Sequence, residues 1–243
     1  MSDLDFSNRL MVVTGVGRAG QVGEAIALAL AQRGATLALL DVQPAEVQAR
    51  AAALVAQGYA ATAHAANLAD EAATAAAVAD VLARTQDVFH GQVHAVICVA
   101  GGFGVTGPLD STDVAAWQRQ FMINLDTAYQ ATRAFLPAVR AARGAFVYFG
   151  AQPALPGGRV AGLAAYAAAK SGVLALMRAV AADERANGVR ANAIAPTQIR
   201  TATNVDSMGA DKDYVERESV ADVVSFLCSP LARNVSGQVI TLA

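Results

Sequence analysis

The sequence predicts an α/β domain built on one doubly wound parallel sheet with helices on both faces. Three observations carry this. Short apolar runs alternate with longer segments of helical periodicity along the whole chain. A glycine cluster follows the first apolar run and opens the first helical segment. No Pro/Ser-rich linker and no shift in composition divides the chain, so residues 1–243 read as a single domain.

Leu10 to Thr14 is the first strand, and Glu24 to Arg33 carries apolar residues through more than two helical turns before Gly34 stops it. Thr36 to Leu40, closed by Asp41, is the second strand, and the alanine-rich Ala45 to Gln57 the second helix. Further strands are expected at Ala60 to His64, Ala95 to Val99, Ala145 to Phe149, Val189 to Ile194 and Gln238 to Thr241, with helices between them. The alanine-rich stretches Ala49 to Ala53 and Ala72 to Ala79 are read as helices because Leu54, Val78, Val81 and Leu82 give them apolar faces. Strand–helix alternation requires right-handed crossovers between parallel strands.

Composition narrows the function classes. With 55% hydrophobic and 16% charged residues the chain is globular, and a net charge of -2 without any basic run excludes nucleic acid and anionic membrane surfaces as partners. Two cysteines and three scattered histidines form neither a disulfide framework nor a metal-ligand spacing, and fit a reducing, cytoplasmic setting. Apolar stretches such as Ala25 to Ala31 are too short to span a bilayer, and the acidic Met1 to Asp5 start does not read as a secretory leader.

Ligands of an open parallel sheet sit beyond the carboxyl ends of its strands. The first such loop holds Gly15, Gly17 and Gly20, spelling GxGxxG, with Arg18, Val22 and Gly23 beside them; it can bring a pyrophosphate to backbone N–H groups at a helix N-terminus. Asp41, followed by Val42, ends the second strand, where a carboxylate accepts hydrogen bonds from an adenosine ribose and repels an added phosphate. NAD is therefore expected over NADP, Arg18 being the contrary feature. Farther on, Tyr166 and Lys170 stand at i and i+4 on one helix face. A cation ~4 Å from a phenol, at an effective dielectric near 20, favours the phenolate by about 4 kcal/mol. Lys170 is thus expected to make Tyr166 more acidic and fit for proton transfer.

Tyr166xxxLys170, Thr14-Gly15, Asp41, Val99-Ala100-Gly101-Gly102, Asn124 in Met122-Ile123-Asn124-Leu125, and Val189 to Pro196 together resemble the short-chain dehydrogenase/reductase family over nearly the whole chain. The resemblance implies a Rossmann-like sheet of about seven strands, a nicotinamide cofactor, a small carbonyl or alcohol substrate, and a homo-oligomer, dimer or tetramer. It makes Tyr166 the general acid/base, assisted by Lys170, which also holds the nicotinamide ribose. It gives Asn124 a water linking that lysine to solvent. Ala100, Gly101, Gly102, Pro196, Ile199 and Thr201 would line the cofactor, with Asn67 and Leu68 at the adenine.

The chain departs from the family in three places. The serine expected after the Ala145 to Phe149 strand is Ala151, and neither serine nor threonine occurs between Gly144 and Lys170. Gln152 is the candidate replacement donor. The glycine loop is longer than the family's, which makes Gly15, Gly20 and Gly23 the preferred contacts, and the family's Asn-Asn-Ala-Gly reads Cys98-Val99-Ala100-Gly101. Around Cys98 and Gln152 the chain is similar to the serine-lacking dihydropteridine-reductase branch. The expected activity is hydride transfer between a nicotinamide and a carbonyl or alcohol carbon; the alternative is a catalytically impaired NAD-binding homologue.

Overall fold

The computed structural model describes residues 4–243; the first three residues of the acidic start lie outside them. In chain order the elements are β1 (Leu10–Thr14), α1 (Val22–Gln32), β2 (Thr36–Asp41), α2 (Pro44–Ala56), β3 (Ala61–Ala65), α3 (Glu71–Phe89), β4 (Ala95–Cys98), α4 (Val114–Phe121), α5 (Thr127–Ala142), β5 (Ala145–Phe149), α6 (Ala164–Asp183), β6 (Arg190–Pro196), α7 (Ala202–Met208), α8 (Arg217–Cys228) and β7 (Val239–Leu242). The seven strands form one sheet of order β3-β2-β1-β4-β5-β6-β7, parallel throughout.

β1, β4 and β5 are buried along their whole length, which is why they read as continuous apolar runs rather than alternating ones. Successive residues of β1 nevertheless serve opposite cores. Leu10 and Val12 face α3, α5 and α6 through Val81, Phe135 and Met177. Met11 and Val13 face α1, α2 and α8 through Ile26, Leu54 and Val224. Leu54, Val78 and Val81 are buried, so the alanine-rich segments are anchored helices. No helix among the described residues is long and apolar enough to cross a membrane.

The structure differs from expectation in two local ways. A π-helical turn, Met122–Asp126, joins α4 to α5 around Asn124. The segment from Thr201 to Tyr214, for which no helix is placed in the sequence reading, contains α7, whose first turn is capped by Thr201 Oγ1 accepting from Asn204 N–H (3.2 Å).

Candidate active site

The strand order reverses between β1 and β4, and the loops leaving these two strands touch. Gly15 has φ +64°, and a Cβ there would lie 2.4 Å from Ala100 Cα, so only glycine fits. A Cβ on Gly23 would lie 2.6 Å from the Val16 carbonyl oxygen, so glycine also lets α1 begin directly against the loop. Gly20 packs against Ala202 of α7, whose N–H donates to the Gly20 carbonyl (3.0 Å). Gln21 precedes α1 without a side-chain cap, which leaves the first-turn N–H groups of that helix free of a capping side chain.

Asp41 closes this cradle. Its Oδ2 accepts from Gly17 N–H and its Oδ1 from Gln43 N–H, each at 2.9 Å. Val42 beside it is exposed, as is Arg18 on the rim facing α7. Sequence reasoning missed Glu24, which accepts from Gly20 N–H (2.7 Å) and pairs with Arg50 of α2 and Arg217 of α8. This carboxylate ties the glycine loop to two helices, and its charge is balanced by two guanidiniums. Its place four residues after Gly20, in the first turn of α1, was the available signal. Glycine positions that a Cβ would fill, an uncapped helix start and a carboxylate at the end of β2 together fit a dinucleotide.

Gly101, Asn124 and Lys170 converge on the other side of the cleft. A Cβ on Gly101 would lie 2.6 Å from Asn124 Oδ1 and 3.3 Å from Lys170 Nζ. Asn124 Oδ1 accepts from Gly102 N–H (3.1 Å), while its Nδ2 donates to the carbonyls of Gly102 and Gln120 (3.0 Å each) and reaches Gln120 Oε1 (3.2 Å). The Asn124 side chain is thus engaged with protein, fastening the π turn to the Gly101–Gly102 loop.

Lys170 is buried and its Nζ donates to the Phe149 carbonyl at the end of β5 (2.9 Å). Tyr166 is half-buried; its ring meets Phe103 edge-on at 5.2 Å between centroids, and its hydroxyl has no hydrogen-bond partner among the described residues. The expected acidification of the phenol is overturned. Burial pushes Tyr166 up to about 12 and Lys170 down to about 8. The physical reason is that Nζ lies 6.0 Å from the ring centroid and is directed to a carbonyl, while both groups leave water.

The other expected residues fall into place unequally. Ala151 is buried, and Gln152 follows it in a short 3-10 turn with its carboxamide bonded to nothing among the described residues. Pro196 ends β6, Ile199 bridges to Val215, and Thr201 is engaged in capping α7. Asn67 is exposed, its Oδ1 accepting from Ala69 N–H (3.1 Å), whereas Leu68 is buried in the core.

A family profile described as Enoyl-(Acyl carrier protein) reductase matches residues 15–242. The chain belongs to the short-chain dehydrogenase/reductase family. It is 29% identical over 240 residues to a cyclohexanol dehydrogenase of Acinetobacter sp. (strain SE19), covering 96% of this chain and 92% of that protein. It is 31% identical over 247 residues to 2-(S)-hydroxypropyl-CoM dehydrogenase 3 of Xanthobacter autotrophicus, covering 95% and 93%. Among solved structures, a short-chain type dehydrogenase/reductase from Mycobacterium ulcerans superposes with a TM-score of 0.85 at 29% identity, covering 98% of this chain and 89% of that one. The protein is accordingly an oxidoreductase of a nicotinamide-dependent family. In this short-chain dehydrogenase/reductase the buried Ala151 offers no hydroxyl to the cleft, and the free amide next to it belongs to Gln152.

Proposed function

We propose that this protein interconverts a small secondary alcohol and its ketone with NAD(H), Tyr166 exchanging the proton. The observation that carries the reading is the unpartnered Tyr166 hydroxyl one helical turn from the buried Lys170 amine. A bound nicotinamide supplies or accepts the hydride. Gly15, Gly17, Gly20 and the first turn of α1, with Val22 and Gly23, would hold its pyrophosphate. Asp41 would accept from the adenosine ribose and disfavour a 2'-phosphate, and Lys170 and Asn124 would lie under the nicotinamide ribose. The phenol, kept neutral by burial, is suited to donate to an oxygen on which negative charge develops. Gln152, with its amide free, would donate the second hydrogen bond that Ala151 cannot. Exposed Phe103 and Val105 give the substrate side an apolar wall. The named activities of the two relatives, both on secondary alcohols by their names, support this class of substrate. Buried, unpaired Cys98 and Cys228 fit a cytoplasmic location, and the family a homo-oligomer.

The test is NADH oxidation over a panel of cyclic and open-chain ketones and quinonoid rings, wild type beside Tyr166→Phe, with NADH binding followed by fluorescence. Turnover in the wild type and a loss of at least about 100-fold in the variant, binding unchanged, is the expected result. A second reading, a nucleotide-binding homologue without turnover, rests on Ala151; equal near-zero rates with intact NADH binding would establish it instead.

A further inference from the structure

The sheet has a second end. At the amino ends of four neighbouring strands, β1, β4, β5 and β6, the chain places Arg9, His94, Arg143 and Arg190, each at or just before the first strand residue. With Arg233, which follows α8, and the buried Cys228, they line a pocket of about 250 Å3. The nucleotide cleft lies at the opposite strand ends, about 16 Å away along a five-residue strand.

Four guanidiniums thus meet in a protein whose net charge is -2. Among the described residues none of the four belongs to an ion pair, although Arg33, Arg50, Arg84, Arg133, Arg140, Arg200 and Arg217 all do. Asp5 is held below the usual carboxylate range chiefly by its hydrogen bonds from Ser7, with Arg9 a lesser cause. Arg190 is fixed by donating Nη1 to the Leu227 carbonyl (2.6 Å) and Nη2 to that of Ser229 (3.3 Å), which anchors one charge at the wall. Arg143 has left-handed backbone (φ +50°) after α5 and lies over Gly188, where a Cβ would come within 2.7 Å of its Nε. Glycine there makes room for the guanidinium. His94 Nδ1 accepts from Leu10 N–H (3.2 Å), so its other ring nitrogen carries the proton as a neutral donor.

The like charges act on one another. Arg9 disfavours the charged forms of both His94 and Arg190, after burial, the larger cause in each, and at Arg190 against an opposing effect of Cys228. An anion between them would relieve that repulsion and receive charge-assisted hydrogen bonds, whereas water relieves it poorly in a recess.

We propose that this pocket is a binding site for a small phosphate-bearing anion, a phosphate monoester or inorganic phosphate, separate from the nucleotide cleft. The guanidinium fork matches tetrahedral oxyanions, and the pocket's size suits one phosphoryl group with a small substituent open to solvent. The site is independent of the proposed activity.

Thermal unfolding with added inorganic phosphate, against chloride at equal ionic strength, tests the proposal on the whole protein with and without saturating NADH. The expected result is a rise in Tm that reaches about 5–10 °C at a hundredfold excess over Kd and grows with the logarithm of the phosphate concentration, in both cofactor states and not with chloride. Arg143 and Arg233 are exposed, so Arg143→Ala with Arg233→Ala should fold and should weaken phosphate at least about tenfold, while the Lys pair, which keeps the charge and loses the fork, should fall between the two. A glycerol-phosphate titration then reads whether the monoester or the free ion binds more tightly. No rise in the wild type beyond that with chloride, a response unchanged in the double Ala variant, one abolished by NADH, or one seen with heparin but not phosphate would each overturn the proposal.

Discussion

Replacing Lys170 by methionine should make the protein more stable at neutral pH, by an amount that shrinks as the pH rises. The ammonium is buried, its one hydrogen bond among the described residues goes to the Phe149 carbonyl, and burial lowers it from 10.5 to about 8. Between those values the unfolded chain binds more protons than the native one, so native stability rises with pH through that window. With ordinary titration in the unfolded chain, holding the charge inside costs about 3 kcal/mol at pH 7 and about 2 kcal/mol less by pH 9.5. Methionine has nearly the same length and no charge, so Lys170→Met removes the penalty at every pH. The opposite effect of Tyr166, whose raised value makes stability fall as pH climbs through the window from 10 to about 12, is common to both proteins and cancels in the difference. Urea unfolding followed by the single Trp117 at pH 7.0, 8.0, 9.0 and 9.5 reads the effect. The wild type should gain about 2 kcal/mol on the variant across the series. Parallel curves would refute a depressed lysine, and a wild type that loses ground with rising pH would reverse its sign.

The cradle makes its own predictions. Gly58→Ala, at φ +87° with nothing within 4 Å of the new Cβ, should cost about 1 kcal/mol and leave NADH binding intact. Gly15→Ala adds a collision with Ala100 to the same backbone strain; urea unfolding should show a loss of at least about 3 kcal/mol and fluorescence no NADH binding. Asp41→Ala leaves Gly17 and Gln43 N–H groups without an acceptor and removes the charge proposed to face the ribose; the NAD-over-NADP ratio of kcat/KM should fall at least about tenfold. Gln152→Ala should lower kcat by about 100-fold with little change in NADH affinity, and Ala151→Ser introduced beside it should restore part of that loss in steady-state assays.

The sheet was legible because burial on both faces makes the central strands β1, β2, β4 and β5 nearly continuous apolar runs bounded by polar residues or glycines. β1 and β5 coincide with expectation, and β3, β4, β6 and β7 shift at their ends by one or two residues, where hydrogen-bond pairing rather than hydrophobicity sets the boundary. The π turn and α7 were not legible. Both are short, and each is held by contacts distant in sequence: Asn124 to Gly102, and Ala202 to Gly20. Neither contact leaves a periodic trace.

The site divides along the same line. Tyr166 and Lys170 are one turn apart on a single helix, so their pairing follows from spacing alone. Their charge states do not, because spacing fixes which groups are neighbours while the protein around them fixes how much water each retains. A helix turn on an exposed face would have placed the ammonium to acidify the phenol; here β5 supplies a carbonyl that draws Nζ aside, and burial raises one group while depressing the other. In the ligand-free protein the group that changes charge near neutrality is therefore Lys170. Tyr166 remains a phenol throughout the physiological range, a weaker acid than free tyrosine, which leaves it a proton to give to a strongly basic oxygen and makes transfer in either direction depend on what a bound substrate and cofactor do to the pair.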